Sequence, residues 1–260
     1  MSHDDRNLQY AFLLLGRYDD SISWGMRALL DNPEDTKWER GRIEFRLAAA
    51  HALAGHLEEA KRHLVNGTRL QPRTTLRQFE EGRQVSPAYA VQLARVIEGL
   101  RLAGLRDHAD EHAEFGVAAE DRIPQDPAGR TPTTVPGAKT IDTDALSALL
   151  AQEKPVVIDT MAFFAGRSIP GAVGLALVGV GGDVSDLAQD HLRPIARELT
   201  HGNLGAPVVA LGWNSENFSG RNFALRLVAL GYTNVYWYRG GREAWEARQL
   251  PEAELVATDW

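Results

Sequence analysis

Residues 208–245 read VVALGWNSENFSGRNFALRLVALGYTNVYWYRGGREAW, and the reading of this stretch decides the fold of half the chain. Val208–Leu211 is an apolar run that is short for a helix and fits a buried strand. Gly220–Leu230 carries apolar residues at helical spacing, and Asn234–Tyr238 returns to β-branched and aromatic residues. A strand, a loop, a helix and a second strand in this order form one step of a parallel α/β sheet. Gly240-Gly241 then permits a tight turn into a last helix. Trp237, Tyr236 and Tyr238 lie on the second strand, where alternation makes them sheet-face and core residues.

Upstream the same pattern continues. Pro155–Asp159 reads as a strand, with helical text at Asp142–Ala151 and Asp186–Leu199. Before it, residues 123–140 (IPQDPAGRTPTTVPGAKT) hold several Pro and Gly with almost no large apolar residue, which is a linker composition. Residues 1–122 read instead as amphipathic helices with no strand signal. The expected organisation is a helical domain over 1–122, a linker over 123–139 and an α/β domain over 140–260.

The helical part repeats itself. Gly16, Tyr18, Ser21, Ala28 and Pro33 recur as Gly55, Leu57, Ala60, Gly67 and Pro72, each pair offset by 39 positions. A glycine turn lets two antiparallel helices meet, small residues let them approach closely, and proline stops the second helix. A third, weaker pair is expected from Pro87 to Arg122, turning at Ala103-Gly104-Leu105. These positions resemble tetratricopeptide repeats, with the connection DNPEDTKWERG carrying a few residues beyond the usual period. LAAAHALAGHLEEAKRHL and VIEGLRLAGL look like the repeats that trail bacterial class III adenylate cyclases; no cyclase catalytic domain accompanies them. The resemblance implies a concave groove that takes protein partners.

Composition limits the chemistry. The 260 residues contain no cysteine, which excludes disulfides, thiolate metal sites, iron–sulfur ligation and any cysteine nucleophile. With 44% hydrophobic and 24% charged residues the chain is globular, and a net charge of −7 without a Lys/Arg stripe argues against nucleic acid. MSHDDRNLQ shows no basic and apolar leader, so a cytoplasmic setting is expected. The longest charge-free apolar stretch, between Arg167 and Asp183, is Gly-rich and shorter than the ~20 residues of a membrane span, so no membrane association is expected. His108 and His112 stand four apart, but RDHADEHAEF lacks an HExxH arrangement, and His51, His56 and His63 are scattered; neither a metal nor a cofactor is expected.

The second half resembles the rhodanese-homology domain in motif order. Asp159 ends PVVIDT as the family's early Asp does, Ile169-Pro170-Gly171-Ala172 matches its I-P-G-A turn, and Gly231-Tyr232 with Asn234-Val235-Tyr236 matches the entry to its last strand. Gly240-Gly241 and Trp245 match its closing G-G-x-x-x-W. The branch named for PQQ-dependent catabolism and a CXXCW motif shares SIPGAV-like and GYTNVYWY-like text. In active members a loop of backbone N–H groups leading into a helix makes a positive cradle, and a Cys at its base carries a persulfide. The corresponding loop is Gly212, Trp213, Asn214, Ser215, Glu216, Asn217, Phe218, Ser219 and Gly220, followed by Arg221. The nucleophile position falls at Gly212, Asn214, Ser215 or Glu216 according to the register, and the branch's second Cys and Trp fall at Asn217-Phe218.

Persulfide transfer therefore fails in every register. Ser215 stands six before Arg221, the C-x5-R spacing of rhodanese-fold phosphatases, but a serine needs an adjacent base and no His lies in the loop. The expected function is a non-catalytic interaction or regulatory protein, a pseudoenzyme whose loop residues, Arg221 above all, are candidates for holding a small anion or a partner. Asp159, Arg239 and Arg242 are expected at the pocket rim, and Trp213 as a plug or a contact. The alternative is a sulfurtransferase-related or phosphatase-like enzyme using non-cysteine chemistry.

Overall fold

The computed structural model describes residues 2–31, 35–80, 86–161 and 166–255. The chain divides into two compact units, Met1–His108 and Ala109–Trp260.

The first unit is helical: α1 (Ser2–Leu14), α2 (Tyr18–Asp31), α3 (Lys37–Leu53), α4 (Leu57–Leu70), α5 (Arg77–Glu80) and α6 (Pro87–Ala103). Gly16 and Gly55, the repeat glycines, turn α1 into α2 and α3 into α4 with φ of +75° and +86°, a backbone region that side chains with a Cβ avoid. The small-residue pairs Ser21 with Ala60 and Ala28 with Gly67 are buried where helices approach closely, whereas Tyr18 is half-buried and its counterpart Leu57 is exposed. Pro33 lies outside the described residues. Thr36 starts α3 with a reciprocal box: its hydroxyl accepts from Glu39 N at 3.2 Å and Glu39 Oε2 accepts from Thr36 N at 3.1 Å. Ser86 caps α6, Pro87 occupies its first turn, and Gly104 ends it at φ +98°. The core gathers Phe45, Ala48, Ala49, Ala60, Leu93, Val96 and Leu100. Contact between α3 and α6 requires Gly99, because a Cβ there would lie 2.7 Å from the Ala49 carbonyl oxygen.

The expected third helix pair is corrected by the structure. α6 and the turn at Gly104 are present, but residues 104–138 contain neither helix nor regular strand. Between Arg106 and Arg122 only Phe115 and Val117 are large and apolar, too few for an amphipathic stripe, and Gly116 sits at φ +68°.

The second unit runs β1 (Lys139–Ile141), α7 (Thr143–Gln152), β2 (Val156–Asp159), β3 (Arg167–Ser168), β4 (Val173–Gly174), α8 (Leu187–Leu199), β5 (Val208–Leu211), α9 (Ser219–Ala229), β6 (Val235–Tyr238), α10 (Gly241–Ala247) and β7 (Ala253–Glu254). Five strands form a parallel sheet in the order β1-β6-β5-β2-β4, and β3 pairs antiparallel with β7. β5 is central and buried along its whole length. Its Val208 and Ala210 face one core with Ile158, Phe223 and Trp237, while Val209 and Leu211 face a second with Val157, Tyr238 and Trp245. This period-two division covers both sheet faces and brings the carboxyl ends of β2 and β5 together at Asp159 and Leu211. No described helix is long and apolar enough to cross a membrane.

Candidate functional site

The loop that connects β5 to α9 begins at Gly212, directly beyond the central strand. A Cβ at Gly212 would lie 2.6 Å from Ser219 Oγ and 3.0 Å from Asn217 Oδ1 and Gly220 N. The volume a side chain would enter here is thus filled by polar groups at the start of α9. Gly220 is needed for the same close approach, since its Cβ would lie 2.7 Å from Gly212 N. The Ser219 hydroxyl is held by Asn217 Oδ1 and stands 2.9 Å from the Thr160 hydroxyl.

An anion cradle works by leaving successive N–H groups convergent and free. Here Glu216 N donates to Asn214 Oδ1 (2.9 Å), Asn217 N to Asn214 O (3.2 Å), Phe218 N to Pro127 O (2.5 Å) and Ser219 N to Asn217 Oδ1 (3.0 Å). These four donors already have acceptors within the protein. Asn214 Nδ2 donates to Glu243 Oε2 at 2.5 Å, and the Trp213 carbonyl accepts from Glu243 N at 3.0 Å. Trp213 is half-buried, and Ser219 and Asn217 are the side chains that a residue larger than glycine at 212 would meet. Ser215 is fully buried and its hydroxyl donates to Asp110 O at 2.8 Å, an arrangement that offers no base for a nucleophile.

The stretch read as a linker closes the outer side of this loop. Gly129 N donates to Glu216 O (3.0 Å) and Thr131 N to Ser215 O (3.2 Å), with an antiparallel bridge between Ala128 and Asn217. The Thr131 hydroxyl also donates to Ser215 O at 2.6 Å. The Phe218 ring rests on Gly129, where a Cβ would stand 2.8 Å from it, and Ile123 and Val135 are buried in the sheet core. Residues 110–135 form a strap that is part of the second unit; the linker reading is replaced by this packed segment.

The arginines serve the strap. Arg221, 2% exposed, donates to the carbonyls of Glu120 and Arg122. Arg239, 3% exposed, donates to Glu111 O (2.6 Å), Ala113 O (2.7 Å), Thr131 Oγ1 (3.1 Å) and Thr131 O (3.2 Å), and stacks with Arg130 on Phe115. Burial lowers the pKa of both guanidinium groups from the usual arginine value. Arg242 Nε donates to Asp159 Oδ2 at 2.6 Å, and the same oxygen accepts from the Ser168 hydroxyl at 2.5 Å. Asp159 Oδ1 accepts from Met161 N at 2.8 Å, so this carboxylate is fully enclosed and satisfied. Arg242 N also donates to Gly212 O at 3.1 Å, which ties the start of α10 to the loop. Gly241 makes this junction tight: its φ is +61° and a Cβ would stand 2.5 Å from Gly212 O.

All the sequence-predicted residues from Gly212 to Arg221 therefore meet with Asp159, Arg239 and Arg242 around one loop. Sequence reasoning missed Glu111, Thr131, Thr160 and Glu243. Thr160 follows the quoted Asp159 and Glu243 follows Arg242, so proximity to a motif was an available signal for those two. Glu111 and Thr131 carried none: Glu111 acts from over 30 residues away, accepting from the Thr143 hydroxyl (2.8 Å) and N–H (3.0 Å) at the start of α7. Among the described residues no group of three or more His, Asp or Glu side chains is placed to hold a metal.

Residues 142–248 match the family profile described as Rhodanese-like domain. The second unit thus contains a rhodanese-like domain without cysteine. No curated protein matches the chain. Among solved structures, the Alr3790 protein from Anabaena sp. is 19% identical, over 45% of this chain and 81% of its own, with a TM-score of 0.32. A thiosulfate sulfurtransferase from Pseudomonas aeruginosa is 18% identical, over 85% of this chain and 45% of its own, with a TM-score of 0.35.

Proposed function

We propose that the protein is a non-catalytic interaction or regulatory protein, in which the helical unit engages a protein partner and the rhodanese-like domain is a silent scaffold. One observation carries this reading: the loop that holds the nucleophile in active relatives starts at Gly212, sets Ser219 and Asn217 against that glycine and is covered by residues 110–135. The Arg221 Nη atoms, Arg239 and Arg242 direct donors at strap carbonyls, the Thr131 hydroxyl and Asp159, leaving the buried Arg221 Nε as the unpartnered donor among them, and ligand recognition is assigned to the helical unit rather than to the loop. The 39-residue repeat of glycine-turned hairpins, which resembles tetratricopeptide repeats, supports a partner-binding role for that unit. The ancestry with the CXXCW branch and a cytoplasmic setting belong to the same proposal.

The test is a sulfur-transfer assay with thiosulfate and cyanide, beside an aryl-phosphate hydrolysis assay, on the full chain. Rates at the buffer background are expected in both. Turnover that disappears in Arg221→Ala, with the variant still folded by circular dichroism, overturns the reading in favour of altered, non-cysteine chemistry.

A further inference from the structure

The helical unit contains a cavity of about 300 Å³ whose wall includes Tyr10 from α1, Trp38, Arg42, Phe45 and Arg46 from α3, and Phe79 from α5. A second hollow of about 270 Å³ shares Trp38, Arg42 and Arg46 and extends toward Arg6. Arg42 follows Trp38 by four residues, and Phe45 and Arg46 follow Arg42 by three and four, which puts them on one face of α3. At a rise of about 1.5 Å per residue that face runs roughly 10 Å from Trp38 to Phe45, the reach of about three residues of extended chain.

The two arginines on this face are distinctive. Arg42 is exposed and lies 4.6 Å over the Trp38 ring; Arg46 is half-buried and lies 4.3 Å over the Tyr10 ring, donating to Arg6 O at 3.2 Å. Neither pairs with a carboxylate among the described residues. The neighbouring acids are already engaged, because Asp35 (3.2 Å) and Glu39 (2.5 Å) both pair with Arg6. Burial and the adjacent Arg42 push the Arg46 guanidinium down to about 10, so it remains a cation at neutral pH. A guanidinium stacked on an aromatic face presents its N–H edge sideways, in the geometry that a carboxylate takes with two parallel hydrogen bonds. Beside these cations the cavity floor is apolar, with Phe45 2%, Val96 2% and Leu100 0% exposed, and the Gln78 amide lines the same wall. The positive face is not outweighed locally: residues 1–108 hold sixteen Lys and Arg against fifteen Asp and Glu, whereas residues 109–260 hold twelve against twenty.

We infer that this groove binds an acidic peptide segment of a partner protein, in which a carboxylate between Arg42 and Arg46 stands next to a large apolar side chain seated over Phe45. The inference rests on the interaction role proposed above and specifies its partner. The carboxylate neutralises a partly desolvated cation, and the apolar side chain fills a hollow against Val96 and Leu100.

The experiment is a display selection of random octapeptides against the immobilised full chain, followed by titration of a fluorescein-labelled selected peptide. Enrichment of Asp or Glu next to Leu, Ile, Phe or Met is expected. Affinity should fall at least tenfold in Arg42→Gln and in Arg46→Gln, and severalfold between 50 and 500 mM salt, with helicity unchanged by circular dichroism. Arg42→Lys, which keeps the charge but loses the planar fork, should weaken binding less than Arg42→Gln. Selected peptides that are neutral or basic, or acidic ones that bind both Gln variants as well as the parent, overturn the inference. If neutral peptides are enriched and lose affinity in Trp38→Ala, the interaction role stands and the acidic occupant falls; if no peptide is enriched, both fall.

Discussion

The two units hold their structure in opposite ways. In Met1–His108 helices meet through small residues: Ala48, Ala49, Ala50 and Ala60 are fully buried and Gly99 brings α6 against the α3 backbone. In Ala109–Trp260 the sheet core is conventional, but the loop beside it is closed by buried charge and amide groups, Asp159, Asn214, Glu216, Arg221, Arg239, Arg242 and Glu243. The unit with the rhodanese-like match has its β5–α9 loop covered by the strap. The helical unit has an open, aromatic and cationic groove. The α/β unit keeps a polar hollow of about 380 Å³ beside the strap, lined by Glu111, His112, Asp142 and Arg239, but its β5–α9 loop does not open into an aromatic groove of the helical unit's kind.

This contrast means that the α/β unit should break when polar partners are removed and the helical unit when volume is added. The largest effect is expected from Asp159→Ala. It leaves the Arg242 guanidinium buried without its partner, a loss of about 3–5 kcal/mol that is read as an early unfolding transition of the α/β unit in urea. Next, Gly99→Val forces side-chain atoms onto the Ala49 carbonyl and should cost about 1–3 kcal/mol in the helical unit alone. Thr131→Val removes the hydroxyl between Ser215 O and Arg239 Nε, and an expected loss of about 1–3 kcal/mol should appear together with faster amide exchange at residues 215–219. Gly55→Ala meets nothing within 4 Å, so only its φ of +86° is strained, and the midpoint of the helical unit should shift by about 1 kcal/mol. A midpoint unchanged in Thr131→Val, or a Gly55→Ala effect larger than that of Asp159→Ala, would erase the distinction between the units.

A separate test of the α/β unit concerns acid. Asp186 pairs with the buried Arg226 through two bonds of 2.7 and 2.8 Å, chiefly because of which its pKa falls to about 2. A carboxyl lowered on folding stabilises the native state above its unfolded value of about 4, and the contribution disappears as pH drops through the folded value. The stability difference between the parent and Asp186→Asn should therefore be constant from pH 7 to 5 and shrink steadily as pH falls from 4 toward 2 and below. A difference that keeps its neutral-pH size at pH 2 contradicts this assignment.

Much of the α/β unit was legible in the sequence because its elements are local. The strand at Val208–Leu211 lies where the apolar run put it, and α8 and α9 lie within one residue of their expected limits. The repeat glycines were legible for the same reason, since a left-handed turn demands glycine at that residue itself. The strap was not, and the cause is physical. Arg221 and Arg239 bond to backbone carbonyls of Glu120, Arg122, Glu111 and Ala113 about 100 residues or more away, and every residue type supplies a carbonyl. A segment held through its main chain can have a linker's composition and still be packed. The groove is hidden in a similar way: the spacing of Trp38, Arg42 and Arg46 is visible, but the pairing of Arg46 with Tyr10 on α1 is a matter of packing.

The absence of cysteine makes the closure of the loop directly measurable. Ser215→Cys places a single thiol in the chain at a fully buried position beneath Asp110 and Thr131, with little change of side-chain volume. Its labelling by a thiol reagent in native buffer should be slower by a factor of about 100 or more than in the urea-unfolded protein, because reaction must wait for the strap to open. Labelling of the folded protein at the rate of a free thiol would contradict a sealed loop, and with it the assignment of function to the helical unit.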